Sequence, residues 1–484
     1  MTSSFSVEVI HLRQEAAGRT VGSCLRVAIF AAIVLLCVGA LANAQTVSTV
    51  YNFTGGTNSA NPWYVTLVQG TNGDLYGTTY NGGSKGFGTA FSVSTSGTYT
   101  LLHSFAGGSK DGAYPSGGLT LGTDGNFYGT TQQGGTESQG VVFQMTTSGT
   151  ITLLHSFNQG TDGAFPWGPP IEGSDGNYYG TTAGGKGDQG IVYKVTTGGT
   201  YTTILQLAAG DGSSPVASPV QGVDGYLYIP VSNGGADFCG TVLQMTTAGV
   251  INNTFNFPCG NGGAYPIGPL VQNANGDFYS TTQDGGEYGQ GTVYQLTTGL
   301  VETTLYSFGQ SVTDGEYPAA GLLLATDDNY YGATAEGGTW DDGTLFNIST
   351  SGTYKQLYSF NNSSNLMQMS PLSPPVQDTN GLLYGVTQFG GTDNLGIVYS
   401  LNMGLAAFVN SPLFSGKTGS EVLILGNHLT GASKVTFNGV EASFKVNSDT
   451  HMTATVPTGA TTGYINVTTK NGELKSRKAF VVEE

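Results

Sequence analysis

The sequence predicts an all-β protein: a closed seven-bladed β-propeller of four-stranded blades over residues 45–404, followed by an immunoglobulin-like β-sandwich over 405–484. Three observations predict it. A turn pair leading into an aromatic, a tyrosine, a small residue and usually threonine occurs seven times, as in Asn72-Gly73-Asp74-Leu75-Tyr76-Gly77-Thr78-Thr79. Its tyrosines, Tyr76, Tyr128, Tyr179, Tyr228, Tyr279, Tyr331 and Tyr384, are spaced by 52, 51, 49, 51, 52 and 53 residues. Prolines at 62, 115, 166, 215, 266, 318 and 371 keep the same beat. Strands and turns repeating at about 50 residues belong to solenoids and propellers. The third observation lies at the ends of the array. Residues 46–53 read as the fourth strand of a repeat, yet they precede the first full repeat, and the last repeat stops after its third strand near 396–402. The orphan strand is expected to complete the last blade, closing the ring and removing exposed sheet edges.

The first 44 residues stand apart from this pattern. Arg13, Arg19 and Arg26 precede an uncharged apolar run, 27–42, and then Ala42-Asn43-Ala44. A basic start, a short apolar core and an A-x-A site describe a secretory signal peptide cleaved after Ala44. The run is shorter than the roughly 20 residues a spanning helix needs, so no membrane span is expected after cleavage.

Each repeat divides into four short apolar runs; in the second they are 116–122, 126–132, 140–147 and 150–157. Asp124-Gly125 and Ser148-Gly149 separate the first pair and the last pair, as in hairpins. No window carries the 3.6-residue period of an amphipathic helix. Adjacent aromatics such as Phe127 and Tyr128 place large groups on both faces of one strand, which must then be covered on both sides by neighbouring sheets. The fourth repeat has Tyr228-Ile229-Pro230-Val231 in place of Tyr-Gly-Thr-Thr. Proline has no ladder donor, so a distortion of that blade is expected.

Gly82-Gly83, Gly88-Thr89-Ala90-Phe91, Leu101-Leu102-His103-Ser104-Phe105 and the Tyr-Gly-Thr-Thr phrase recur in fixed order. In this the chain resembles GloVer (Gloeobacter/Verrucomicrobia) tandem-repeat proteins, a resemblance that covers nearly all of the repeat region and implies a secreted bacterial protein. From about Gly404 the composition changes to Ser411-Pro412, Gly419-Ser420-Glu421-Val422-Leu423-Ile424-Leu425-Gly426-Asn427, Lys434-Val435-Thr436-Phe437-Asn438-Gly439 and Val456-Pro457. Alternating strands with turns every eight to twelve residues suggest a β-sandwich. The motif order resembles the IPT/TIG domain, which implies a spacer or interaction module and no activity.

The net charge is −17, and residues 45–404 hold 5 Lys, no Arg and 24 Asp or Glu. A region so poor in cations cannot neutralise phosphates, which excludes nucleic-acid binding and disfavours anionic membrane surfaces. Cys239 and Cys259 are the two cysteines left after leader removal. They flank one hairpin whose turn lies midway between them, and in an exported protein they are expected to form a disulfide.

In a propeller the connections from second to third strand, and from fourth to the next first strand, emerge on one face. These are the longer and more varied segments, and loops on a rigid scaffold are where binding groups sit. The candidate residues there are Asp111, Tyr114, Asp162, Phe165, Asp314, Tyr317, Trp340, Asp341 and Asp342. The recurring Asp-Gly-x-Tyr/Phe-Pro unit has two readings: a rim of carboxylates and aromatics for calcium or sugar rings, or an Asx turn in which Asp caps backbone amides and Pro fixes strand entry. His103 and His155 share a position with Tyr51, Tyr306 and Tyr358, which marks packing. No catalytic motif stands in the chain. Glu172, Glu287, Glu316 and Glu336, each peculiar to one repeat, are the carboxylates available for glycoside hydrolysis. The expectation is a monomeric, exported, non-catalytic protein of the cell surface or periplasm, with a polysaccharide or cell-envelope protein as partner. No cofactor is called for, and calcium is left open. The rival reading is a propeller-type glycan hydrolase or lyase.

Overall fold

A computed structural model of the protein describes residues 47–185, 187, 189–319, 321–361 and 369–483. The expected leader lies outside the described residues. Among the described residues each repeat forms one main antiparallel sheet, giving six four-stranded sheets and, in the second repeat, a five-stranded one in which Gly112–Pro115 adds a strand, while the first and sixth repeats each carry a separate two-stranded pairing. In the first sheet the order is Val68–Gln69, Leu75–Thr79, Thr89–Val93 and Tyr99–Ser104, and the later sheets repeat it.

The recurring phrase forms a hairpin for a local reason. In the second repeat Asp124 accepts hydrogen bonds from the Asn126 backbone N–H (3.0 Å) and side-chain amide (2.8 Å), and Gly125 takes φ +78°. This is an Asx turn, and its φ > 0 position favours glycine. Tyr128 then donates its hydroxyl back to Asp124 at 2.8 Å. The pairs Tyr179–Asp175, Tyr228–Asp224 and Tyr331–Asp327 repeat this bond at 2.8, 2.6 and 2.9 Å. A buried tyrosine hydroxyl without a partner would cost about 1–3 kcal/mol, so the turn carboxylate and the tyrosine belong to one device.

The aromatic pair of the phrase works in two directions. Tyr76 stacks on Phe127 of the next sheet with ring centroids 4.2 Å apart, Tyr128 on Tyr178 at 3.7 Å, and Tyr279 on Tyr330 at 4.2 Å. The second aromatic of one sheet thus meets the first aromatic of the following sheet. Each successive pair of sheets shares an apolar core, for example Val192 and Leu207 of the third with Ile229 and Leu243 of the fourth. One further core joins Tyr384, Val386 and Val398 of the last sheet to Leu67, Leu75 and Phe91 of the first, with Phe53 between them.

The orphan strand is found where the sequence places it. Val47–Asn52 pairs antiparallel with Ile397–Leu401, from Val47 opposite Leu401 to Asn52 opposite Ile397 with a register shift between Thr49 and Tyr51, as the outer strand of the seventh sheet. The second strand is not distorted at Pro230; the sheet departs from the others in its outer pair, where the register shifts between Gln244 and Met245 and not, as in the third sheet, after the second residue of the third strand. Leu227–Val231 pairs without interruption with Thr241–Met245, and Pro230 stands opposite Val242. The inner strand, Val220–Gln221, reaches only Tyr228 and Leu227, so no inner partner awaits a donor at Pro230.

Residues 415–483 form two further sheets, one of five strands and one of three. Their core holds Val422, Ile424, Val435, Phe437, Met452, Ile465, Val467 and Phe480. The cysteines are bonded, with Cα atoms 5.5 Å apart. Among the described residues no helix is long and apolar enough to cross a membrane.

Candidate functional site at the loop face

One repeated junction builds the site. The residue before each marker proline (Asn61, Tyr114, Phe165, Ser214, Tyr265, Tyr317 and Ser370) has positive φ, between 44° and 59°. That is costly for a non-glycine residue, of order 1–3 kcal/mol, and more so before proline. Backbone bonds hold it. The Tyr317 N–H donates to Gln290 of the fifth sheet's 2–3 connection (3.0 Å), and its carbonyl accepts from Ala335 just past the second strand of its own sheet (3.0 Å). Asn61 does the same between Leu395 (2.8 Å) and Tyr80 (3.1 Å), which join the last sheet to the first. The proline that follows rests on the glycine opening the preceding sheet's third strand: a Cβ on Gly291 would lie 2.6 Å from Pro318 Cδ, and one on Gly140 2.8 Å from Pro166 Cδ. Glycine and proline are therefore required together at every junction.

Three of these junctions, those at Pro62, Pro318 and Pro371, contribute to the wall of a cavity of about 370 Å³. Its wall comes from the 2–3 and 4–1 connections, the segments singled out in the sequence as the variable face. Part of the lining is aromatic. Trp63 and Tyr64 line the cavity, and Trp63 packs against Tyr80 (4.8 Å), Tyr64 (5.3 Å) and Trp167 (5.1 Å). Tyr80 continues to Tyr114 at 4.9 Å. The lining also holds polar and acidic residues: Asp284, Glu336, Tyr317, Gln283 and Gln388. Glu316 stands directly opposite Glu336 in a two-stranded pairing of Gly315–Glu316 with Glu336–Gly337. Like charges facing each other across a sheet repel. Burial, then Asp341 and Glu316, push the Glu336 carboxyl up, and burial, then Asp341 and Asp314, push Glu316 up. Burial raises Asp284, and the Tyr317 hydroxyl is raised by burial and by the carboxylates of Asp284, Glu336 and Glu316. The cavity lining thus combines aromatic rings with a set of oxygen acceptors.

The candidates named from sequence divide into groups. Asp111 accepts from the N–H groups of Ala106 and Gly112, both at 2.8 Å, and lies 3.1 Å from His103 Nε2. Asp162 lies 2.8 Å from His155 Nε2 and accepts from the Asn158 N–H at 3.2 Å. Burial lowers His155, with the Asp162 carboxylate opposing. Asp314 accepts from Tyr306 Oη (2.9 Å) and from the N–H groups of Gly309 (3.0 Å), Gln310 (3.1 Å) and Gly315 (2.8 Å). Each of these carboxylates caps its own loop, and the His/Tyr position of the fourth strand supplies one of its partners. Tyr317 lines the cavity, and Tyr114 belongs to the aromatic cluster at its edge. Phe165 and Trp340 are exposed, at 39% and 59%, and neither lines the cavity. Asp341 accepts from the Gly337 N–H at 3.0 Å, and Asp342 is buried.

Glu172, one of the carboxylates weighed for hydrolysis, reaches across to the second sheet, where it accepts from the Thr123 N–H (2.8 Å) and hydroxyl (2.6 Å). Among the described residues no group of three His, Cys, Asp or Glu is arranged to hold a metal ion. Trp63, Tyr64 and Asp284 were not picked out from sequence. A signal for the tryptophans exists: Trp63 and Trp167 both directly follow a marker proline.

The profile of the Gloeobacter/Verrucomicrobia repeat matches residues 40–228 and 215–443, and that of the IPT/TIG domain matches 410–481. Among solved structures, that of a streptogramin B lyase is similar with a TM-score of 0.53 at 14% identity, covering 74% of this chain and 98% of that one. The BP39L lectin from Burkholderia pseudomallei is similar with a TM-score of 0.48 at 11% identity, covering 73% and 97%. At such identity the first likeness speaks to the fold alone. No curated protein matches the sequence.

Proposed function

The chain belongs to the Gloeobacter/Verrucomicrobia repeat family and carries an IPT/TIG domain, and from that premise we propose an exported, non-catalytic binding protein of the cell surface or envelope. Its seven sheets close into one seven-bladed propeller over 45–404, and the mouth of the loop face binds a glycan. Ring closure is supported by the apolar core between the last sheet and the first and by the bonds of Asn61 across the same junction. Export is supported by the Cys239–Cys259 disulfide, which persists in oxidising compartments.

The observation that carries the binding reading is the cavity, whose lining joins Trp63 and Tyr64 to Asp284, Glu336, Gln283 and Gln388. A sugar ring has apolar C–H faces that pack on aromatic rings and hydroxyls that donate to carboxylates and amides. Pockets of this kind join an apolar surface to a few placed polar groups.

One observation favours the hydrolase reading, the pairing of Glu316 with Glu336. Cross-strand partners project from the same face of their sheet with Cβ atoms about 4.5–5.5 Å apart. A glycosidase pair must flank the scissile bond from two sides. Side by side, these two glutamates present one acidic surface to a ligand.

The test is a glycan array probed with the purified mature chain, with and without calcium, followed by assay of each retained glycan for new reducing ends. Retention without cleavage is expected. Cleavage abolished by Glu336→Gln would replace binding with hydrolysis, and no retention of any glycan would remove the ligand class.

A further inference from the structure

One attachment of the C-terminal domain to the propeller centres on a buried side chain, Thr379, in the hairpin between the first two strands of the seventh sheet. Its Oγ1 accepts from Gln69 Nε2 of the first sheet at 2.8 Å and from Asn427 Nδ2 of the C-terminal domain at 2.6 Å. Its N–H donates to Gln69 Oε1 (3.2 Å), and its carbonyl accepts from the Phe408 N–H (3.1 Å). A second attachment lies on the first sheet, where the Thr71 carbonyl accepts from Thr450 Oγ1 at 2.6 Å and lies 3.0 Å from His451 Nδ1.

The strand Glu421–Leu425 supplies the apolar part of the contact. Side chains alternate across a strand, and here both faces are used. Val422 and Ile424 belong to the C-terminal domain's own core, while Leu423 and Leu425 belong to a cluster with Tyr76, Leu121 and Phe127 of the first and second sheets. A free-standing sandwich would present polar groups at 423 and 425. Apolar residues at these positions, with Leu425 only 1% exposed, mark the outer face of this strand as a permanent interface.

The attachments fall on the first, second and seventh sheets. The first and last of these are the pair that meets where the two ends of the repeat array come together. We propose that the IPT/TIG domain is a clasp across that seam, holding the first and last sheets together, and is not the spacer its resemblance implies. The inference goes beyond ligand binding and rests on ring closure alone. It also gives the two propeller faces separate roles, the clasp on the Asx-hairpin face and the cavity on the loop face.

The test is amide hydrogen exchange on the full mature chain bearing Asn427→Ala or Leu425→Ala, with Val250→Ala, at an exposed hairpin-face position, as control. Loss of one buried hydrogen bond should raise exchange in the seam strand 47–52 about fivefold in Asn427→Ala. Leu425→Ala should raise it about thirtyfold or more. Strands 191–195 and 241–245, far from the seam in chain order, should keep their protection. If 421–425 and 451–455 lose protection while 47–52 does not, or if no segment changes in either variant, the clasp is overturned. Should Leu425→Ala fail to fold, the milder Asn427→Ala decides.

Discussion

Gly396 and Pro62 lie in contact although they stand near opposite ends of the repeat array: a Cβ on Gly396 would be 2.9 Å from Pro62 Cδ and would also strike the Thr387 carbonyl. The same contact links Gly88 with Pro115 and Gly343 with Pro371 inside the array. The junction between last and first sheets is therefore built like the others. Gly396, at φ +98°, has neither the backbone region nor the space for a side chain. Gly396→Ala should cost about 2 kcal/mol or more. Gly404→Ala, at φ +73° with open space around it, should cost less. Thermal unfolding of the two variants measures the difference.

Asp378 offers a pH test of the seam. Its carboxyl is buried beside Thr379, with the Asn380 N–H at 2.9 Å on Oδ1 and, among the described residues, no hydrogen bond to Oδ2. Desolvation pushes it up to about 6, and the Asn380 N–H and the nearby Asn427 amide offset only part of this. A folded pKa above the unfolded one means that the native state binds the proton more tightly. The stabilisation is therefore full below about pH 4 and lost as pH rises through about 6, on the order of 3 kcal/mol in all. Urea unfolding between pH 4 and 7 should show Asp378→Asn losing this part of the pH dependence and gaining stability over the native chain at pH 7.

Asp314 separates capping from ligand binding. With four donors on its carboxylate and only 6% exposure, Asp314→Ala should destabilise the protein by about 2–4 kcal/mol, whether or not a ligand is present. Chemical denaturation with and without ligand checks this. A variant with native stability and lost binding would return Asp314 to the ligand.

The disulfide spans a sequence separation of 20 residues in the fourth repeat. Cys239→Ser should lower stability by about 3 kcal/mol in the chain-entropy description. Reductant should lower the Tm of the native chain toward that of the variant and leave the variant unchanged.

The repeat architecture was legible because local chemistry enforces it. An Asx turn, a tyrosine returning to the turn's carboxylate and an aromatic on each face recur in the sequence as they recur in space. The outer strand 47–52 was legible because it stood unpaired in a pattern that was otherwise complete. The cavity was not. Trp63 and Asp284 come from the first and fifth repeats, and the cavity brings together loops of distant repeats without leaving any periodic mark. Pro230 misled about its own strand because its cost depends on whether a neighbouring strand reaches it, and the inner strand is too short to do so. The outer face of Glu421–Leu425 was written in the sequence as a strand apolar on both sides. That pattern marks burial but does not name the surface that covers it.

The binding account is tested most directly by calorimetric titration of one array-selected glycan into the native chain, Trp63→Ala and Trp340→Ala. Trp63 belongs to the aromatic part of the cavity lining, whereas Trp340 is an exposed tryptophan outside it. Loss of a central aromatic anchor should weaken binding about tenfold or more in Trp63→Ala and leave Trp340→Ala at native affinity. Native affinity in Trp63→Ala, or a loss confined to Trp340→Ala, would contradict the placement of the ligand in the loop-face cavity.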